Sequence, residues 1–74
     1  MNLFNPPKFV EGSLVGIDGN AFSLMGHFSG LARRQGWTRA EIEVVTTKCM
    51  SGNYDELIQT LMAHMDMEIP EDDE

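Results

Sequence analysis

The stretch TRAEIEVVTTKCMSGNYDELIQTLM, residues 38–62, predicts two helices joined by a very short turn. Thr38 is a preferred N-cap residue, and Glu41 follows it at the spacing of a capping box. The Ser-Gly pair at positions 51–52 is a typical end signal. The first of these two helices is therefore expected to cover residues 39–50.

The second helix of the stretch is predicted to begin after Asn53, which has Glu56 three residues further on. Its apolar residues recur at helical spacing and form a broad face: Tyr54, Leu57, Ile58, Leu61, Met62 and Met65. The pattern fades near Met67 and Pro70 forbids continuation, so we expect a helix over residues 54–66. The preceding helix has a narrower buried stripe, with Val44 on its margin: Ile42, Val45 and Cys49.

A further helix is predicted upstream, over residues 21–35, with Asn20 as its cap and Gly36 as its end. Its apolar stripe comprises Ala21, Leu24, Met25, Phe28, Leu31 and Ala32. Gly26 and Gly30 lie four residues apart, which favours close packing within the chain or a self-association face. Trp37 follows at the joint, where an aromatic ring would act as a core plug that fixes the angle between helices.

The two ends of the chain differ from this helical centre. Residues 1–19 contain Pro6 and Pro7 and three glycines, which predicts an extended arm with a short strand at 13–17. Residues 67–74 continue an acidic run and are predicted to be a disordered tail. The fold class expected is all-α, a three-helix domain over residues 20–66 flanked by the arm and the tail.

Size and composition exclude several classes of protein. Seventy-four residues allow one domain of marginal stability. The lone Cys49 rules out an internal disulfide and suits a reducing compartment. Residues 1–9 lack the pattern of a signal peptide, and no apolar run approaches the ~20 residues of a membrane span. We therefore expect a soluble protein of the host-cell cytoplasm with no membrane association.

The net charge of −7 is concentrated at one end. Residues 66–74 carry six acids and no base, whereas the rest of the chain is almost neutral. Such a segment acts as a solubilising end or as a docking segment for a basic partner.

A helix-turn-helix outline raises the question of DNA binding, which the residues disfavour. A recognition helix needs donors aimed at bases and phosphates. Residues 53–66 contain no Lys or Arg, and Asp55 and Glu56 occupy the end that would enter the groove. A nucleic-acid partner is therefore not expected.

The sequence also lacks the residue spacing that is typical of a catalytic or metal site. His27, Cys49 and His64 lie on three different helices, without the paired spacing of a zinc site. Glu41 and Glu43 are two residues apart and face different sides of their helix. We expect no metal, no cofactor and no enzymatic activity.

Most of the chain resembles a group of small uncharacterised proteins encoded by phages, prophages and plasmids. The shared pattern is a G-x-DGN-x-F start, a helix end that contains Ala and Arg, and an SG-x-YD-x-L close with a later methionine. In this chain the matching residues are Gly16, Asp18, Gly19, Asn20, Phe22, Ala32, Arg33, Ser51, Gly52, Tyr54, Asp55, Leu57 and Met62. The resemblance implies a mobile-element origin and carries no activity.

A second resemblance concerns only the order of the helices and of the residues that separate them. A helix, a Gly-Trp joint, a capped helix, a Ser-Gly-Asn turn and an apolar helix are similar to the order in ubiquitin-associated domains. The interval between Gly36 and Gly52 is longer than in those domains. This resemblance supports the three-helix fold and implies no ubiquitin binding.

The leading functional hypothesis is a non-enzymatic, mobile-element interaction protein that binds a host or phage protein. Two alternatives stay open: a self-assembling dimeric structural protein, and an acidic mimic of nucleic acid that inhibits a DNA-binding enzyme. The candidate contact residues are Trp37, Met62, Met65, Met67, Asp66, Glu68, Glu71, Asp72, Asp73 and Glu74. Methionines adapt to irregular partners, and the acids would attract basic ones.

Overall fold

A computed structural model describes residues 2–66 of the chain. Its elements follow in the order β1 (Val10–Glu11), α1 (Ala21–Arg34), α2 (Arg39–Met50), α3 (Tyr54–Ala63) and β2 (Met65–Asp66). The predicted acidic tail at 67–74 lies outside the described residues. Across residues 2–66, no helix is both long and apolar enough to cross a bilayer.

The three helices begin at the predicted caps. The Asn20 side chain accepts a hydrogen bond from the Phe22 N–H at 2.8 Å. Thr38 with Glu41 and Asn53 with Glu56 both form complete capping boxes. These bonds satisfy amide groups that the first turn of a helix leaves without partners. Local sequence therefore sets where each helix starts.

The predicted stripes pack together as the core. Its buried members on the helices are Leu24, Met25, Phe28, Ala32, Ile42, Val45, Cys49, Leu57 and Leu61. Trp37 is buried among them, as predicted for a core plug, and its ring makes edge-to-face contacts with Phe28 and Phe4 at 5.6 and 5.3 Å. Lys8 Nζ lies over the indole ring, 5.3 Å from its centroid.

The all-α prediction is wrong in one respect, because β1 and β2 form a small parallel sheet. Val10 pairs with Met65 and Glu11 with Asp66. The Val10 N–H donates to the His64 carbonyl at 2.8 Å. The protein is thus predominantly helical, with its arm hydrogen-bonded to the segment that follows α3.

The strand predicted at residues 13–17 is also wrong, since β1 lies earlier in the chain. Gly12 and Gly16 have φ values of 152° and 82°, which interrupt an extended run. Between them the chain turns, with the Ile17 N–H donating to the Leu14 carbonyl at 3.2 Å. Apolar residues set among glycines therefore do not specify a strand here.

Two helix features also differ from expectation. α3 ends at Ala63, three residues before the predicted end, because His64 caps it and Met65 enters β2. Gly26 and Gly30 do not serve close packing within the described chain. A Cβ added at either position would meet no atom within 4 Å beyond its own helix backbone.

Candidate protein interface

Large apolar side chains collect on one face of the domain without being buried. Five of them form what we call the apolar face: Val15 (85% exposed), Phe22 (76%), Met50 (63%), Tyr54 (49%) and Met62 (45%). Single exposed apolar residues are ordinary on protein surfaces, whereas a connected group marks an interaction site. The connection between these five comes from two adjoining grooves.

The first groove lies between α3 and residues 14–19, and we call it the arm groove. Its volume is about 460 Å³, and it is lined by Leu14, Val15, Ile17, Gly19, Leu24, Tyr54, Ile58 and Met62. Tyr54, Ile58 and Met62 recur every four residues and so project from one side of α3. Leu24 of α1 is buried and forms part of the lining. An apolar side chain seated here would lose contact with water on several sides.

The second groove, the turn groove, lies between the start of α1 and the α2–α3 turn. Its volume is about 350 Å³, and its lining includes Phe22, Met25, Met50, Tyr54 and Leu57. The Tyr54 ring lines both grooves. Its hydroxyl donates to the Gly19 carbonyl at 2.6 Å, which ties α3 to the chain just before α1. The ring is thereby held in place without a partner, so the face is largely pre-formed.

The opposite side of α3 is closed by the N-terminal residues. His64 is fully buried, and its Nδ1 lies 2.7 Å from the Thr60 carbonyl while its Nε2 lies 2.9 Å from the Leu3 backbone nitrogen. A carbonyl only accepts and an amide N–H only donates, so Nδ1 carries the proton and Nε2 accepts. Asn2 adds a bond from its side-chain amide to the Ala63 carbonyl at 3.0 Å.

Burial lowers the pKa of His64 below its ordinary value, although the bond to Thr60 opposes the shift. The neutral ring therefore suits this site. A second ring proton would face the Leu3 N–H and would break that contact. This arrangement fastens residues 2–4 to the end of α3, and it serves the fold because the ring has no exposed surface.

The predicted contact residues are placed in different environments. Trp37 and Met65 are buried in the core. Met62 is exposed and lines the arm groove, and Asp66 is exposed on β2. The remaining candidates lie outside the described residues: Met67, Glu68, Glu71, Asp72, Asp73 and Glu74. The structure thus brings Met62 together with residues that the sequence reasoning did not select.

Those missed residues are Val15, Phe22, Met50 and Tyr54. Phe22 carried a signal, because it is a large aromatic residue set off the buried stripe of α1. Tyr54 resembled a core residue, since it fits the helical spacing of the other apolar residues of α3. Val15 and Met50 offered no local signal, because their exposure depends on the path of the arm and on the α2–α3 turn.

Two groups capable of chemistry, Cys49 and His27, contact different parts of the chain. Burial raises the pKa of the Cys49 thiol to about 11, so it stays protonated at neutral pH. His27 Nε2 lies 2.9 Å from the Ser13 carbonyl, where it helps to fix the arm on α1. Within residues 2–66, no three His, Cys, Asp or Glu side chains are grouped so as to hold a metal ion.

Comparison of the chain with known protein families, curated proteins and solved structures yields no match. The functional inference therefore depends on the geometry of the apolar face.

Proposed function

We propose that this chain is a non-enzymatic interaction protein that binds another protein through its apolar face. The observation that supports the proposal is the pair of grooves joined at Tyr54, which leaves five large apolar side chains in contact with water. Removing this surface from water would supply the driving force for association. Interfaces of this kind are built around aromatic and methionine anchors in pre-formed pockets.

The biological setting that we propose is a phage, prophage or plasmid, with a host or phage protein as the partner. The support is the G-x-DGN-x-F and SG-x-YD-x-L pattern in the sequence. Three residues of that pattern, Phe22, Tyr54 and Met62, belong to the apolar face, and Gly19 accepts the Tyr54 hydroxyl bond. The pattern and the face therefore coincide in part.

The experiment is quantitative capture of the tagged full-length chain from bacterial cells, with three proteins run in parallel. They are the wild type, Met62→Lys and Val44→Lys. Met62 and Val44 are each 45% exposed, but only Met62 lines a groove, so the two substitutions form a matched pair. We expect a partner enriched with the wild type and with Val44→Lys, and lost with Met62→Lys. A partner held equally by all three would show that the apolar face is not the contact surface.

Self-association is a second candidate, favoured by the open space beside Gly26 and Gly30 on α1. A second helix could approach there closely. The short strand predicted at residues 13–17, which could have paired with a second copy, does not support it, because that segment turns and β1 pairs within the chain. Sedimentation equilibrium over a wide concentration range decides the matter, since a strictly monomeric species removes this candidate.

A further inference from the structure

The charges around the arm groove have one sign. Asp18 lies between two lining residues, Ile17 and Gly19. Asp55 precedes Ile58 by three residues and Met62 by seven, so it shares their side of α3. Both carboxylates are exposed, and neither forms an ion pair with another described residue. Asp18, whose Oδ1 accepts from the Asn20 N–H at 3.3 Å, thus neighbours the lining residues along the arm, and Asp55 neighbours them along α3, although neither side chain lines the groove itself.

A second pair of carboxylates lies next to the groove along the chain. Glu11 and Asp66 line a polar cavity of about 410 Å³ together with Gly12 and Ser13, which immediately precede Leu14 of the arm groove. Both acids are exposed.

The basic side chains of the described chain are directed elsewhere. Lys8 pairs with Glu41 at 3.6 Å and covers Trp37. Arg39 pairs with Glu43 at 3.5 Å, and it lines a cavity between α1 and α2 together with Arg33. Lys48 lines a cavity on the far side of α3 with Leu3 and Thr60. Arg34 is the last residue of α1, and none of the five described cations lines either groove of the apolar face.

Charge complementarity then selects among occupants of the groove. A second copy docked by two-fold symmetry would place the same patch on itself, and its carboxylates would face carboxylates. An acidic segment would be repelled by Asp18 and Asp55, and an uncharged one would gain nothing from them. A segment with Lys or Arg on either side of its apolar anchors would satisfy both the lining and the rim.

We propose that the arm groove binds a segment of a partner protein whose apolar side chains are flanked by Lys or Arg. This inference rests on the proposed function and names the chemistry of the partner. Met62, Ile58 and Tyr54 receive the apolar anchors, and Asp18 and Asp55 face the flanking cations. The contact is therefore partly hydrophobic and partly sensitive to salt.

The test uses three fluorescent peptides of about 16 residues, or four to five helical turns, titrated against the full-length chain by anisotropy. The first carries Leu at helical spacing with Lys elsewhere. The second replaces every Lys with Glu, and the third has the composition of the first in an order without an apolar stripe. We expect only the first to bind tightly, with affinity that falls as salt is raised.

Two pairs of variants locate the binding. Met62→Lys, and the combination of Asp18→Asn with Asp55→Asn, should each weaken the Lys peptide by at least about tenfold. Their matched controls, Val44→Lys and Glu43→Gln, should change affinity by less than about twofold. A further full-length variant carries amides in place of the carboxylates of Glu68, Glu71, Asp72, Asp73 and Glu74. It should bind nearly as well as the wild type if the groove, and not the tail, is the site.

Three outcomes would overturn the inference. Equal loss in Met62→Lys and Val44→Lys, or loss only in the variant with tail amides, would assign the binding to general charge attraction. Equal binding of the shuffled Lys peptide would do the same. If the Glu peptide bound as tightly and Met62→Lys abolished its binding, the groove would be an interface with the partner charge wrongly assigned. The proposed function would survive that last result, whereas a captured partner indifferent to Met62 would remove it.

Discussion

The two sides of α3 differ in whether the rest of the chain covers them. On one side, Thr60 and His64 are buried beneath residues 2–4, and both ring nitrogens have backbone partners. On the other, Tyr54 and Met62 are about half exposed above open grooves. The arm covers the first side and only borders the second. A marginal domain that leaves one apolar side open, while closing the other with a buried histidine, is expected to use the open side for binding.

The largest effect on stability is expected from a substitution on the closed side of α3, where residues 2–4 cover His64. His64→Ala removes a fully buried ring and leaves the Leu3 N–H without its acceptor. We expect a loss of about 3 kcal/mol in the free energy of unfolding. On the open side, Met62→Ala should cost less than about 1 kcal/mol. Urea unfolding followed by Trp37 fluorescence measures both, and equal losses would mean that the two sides do not differ.

The next effect is a pH dependence that belongs to the closed side. The pKa of His64 is lowered in the folded state, so the unfolded chain binds the proton more readily. Stability is therefore complete above the ordinary histidine value of about 6.5 and is lost as pH falls toward the folded pKa. One proton contributes a slope of at most about 1.4 kcal/mol per pH unit.

The control for this pH dependence is His64→Gln, which keeps a polar side chain without a titrating ring. Its unfolding free energy should change less than that of the wild type between pH 7.5 and 5.5. Most carboxylates titrate below this interval, and His27 is present in both proteins. Parallel curves for the two proteins would refute the assignment to His64.

A smaller effect is expected from the bond that fixes the wall of the arm groove. Tyr54→Phe removes the hydroxyl that donates to the Gly19 carbonyl at 2.6 Å and keeps the ring that lines both grooves. The net cost should be about 1 kcal/mol, because water competes for an exposed bond. Thermal unfolding measures the change. A loss as large as that of His64→Ala would show that the open side is as essential to folding as the closed one.

The smallest effect on stability is expected at an exposed position of the apolar face. Met62→Lys and Val44→Lys replace equally exposed side chains, and each should change the unfolding free energy by less than about 0.5 kcal/mol. The two variants are thus suited to separate binding from folding. A strongly destabilised Met62→Lys would place Met62 with the core residues instead.

The same contrast between the two sides explains what could be predicted from sequence. The three helices were predictable because caps and apolar spacing are local: Asn20, Thr38 and Asn53 lie where each helix begins. Trp37 was expected in the core and is there. Helix starts and buried stripes thus follow from residues a few positions apart.

The closed side was not predictable, because its partners are distant in sequence. In the sequence, His64 has the spacing of a polar residue on the exposed side of a helix. Its role as a hydrogen-bond acceptor depends on the Leu3 N–H, which is 61 residues away. β1 forms at Val10–Glu11 because Met65–Asp66 pairs with it, and neither segment has strand periodicity of its own. The apolar face shares this dependence, since Val15 is exposed only because residues 13–17 turn instead of forming a strand.

The most direct test of an interface on the open side is site-specific photo-crosslinking in living bacterial cells. A photo-reactive phenylalanine analogue is placed at position 62 in one sample and at position 44 in the other. We expect a discrete adduct with another protein from position 62 and none from position 44. Adducts of equal yield from both positions, or an adduct from position 44 alone, would show that the open side of α3 is not the interface.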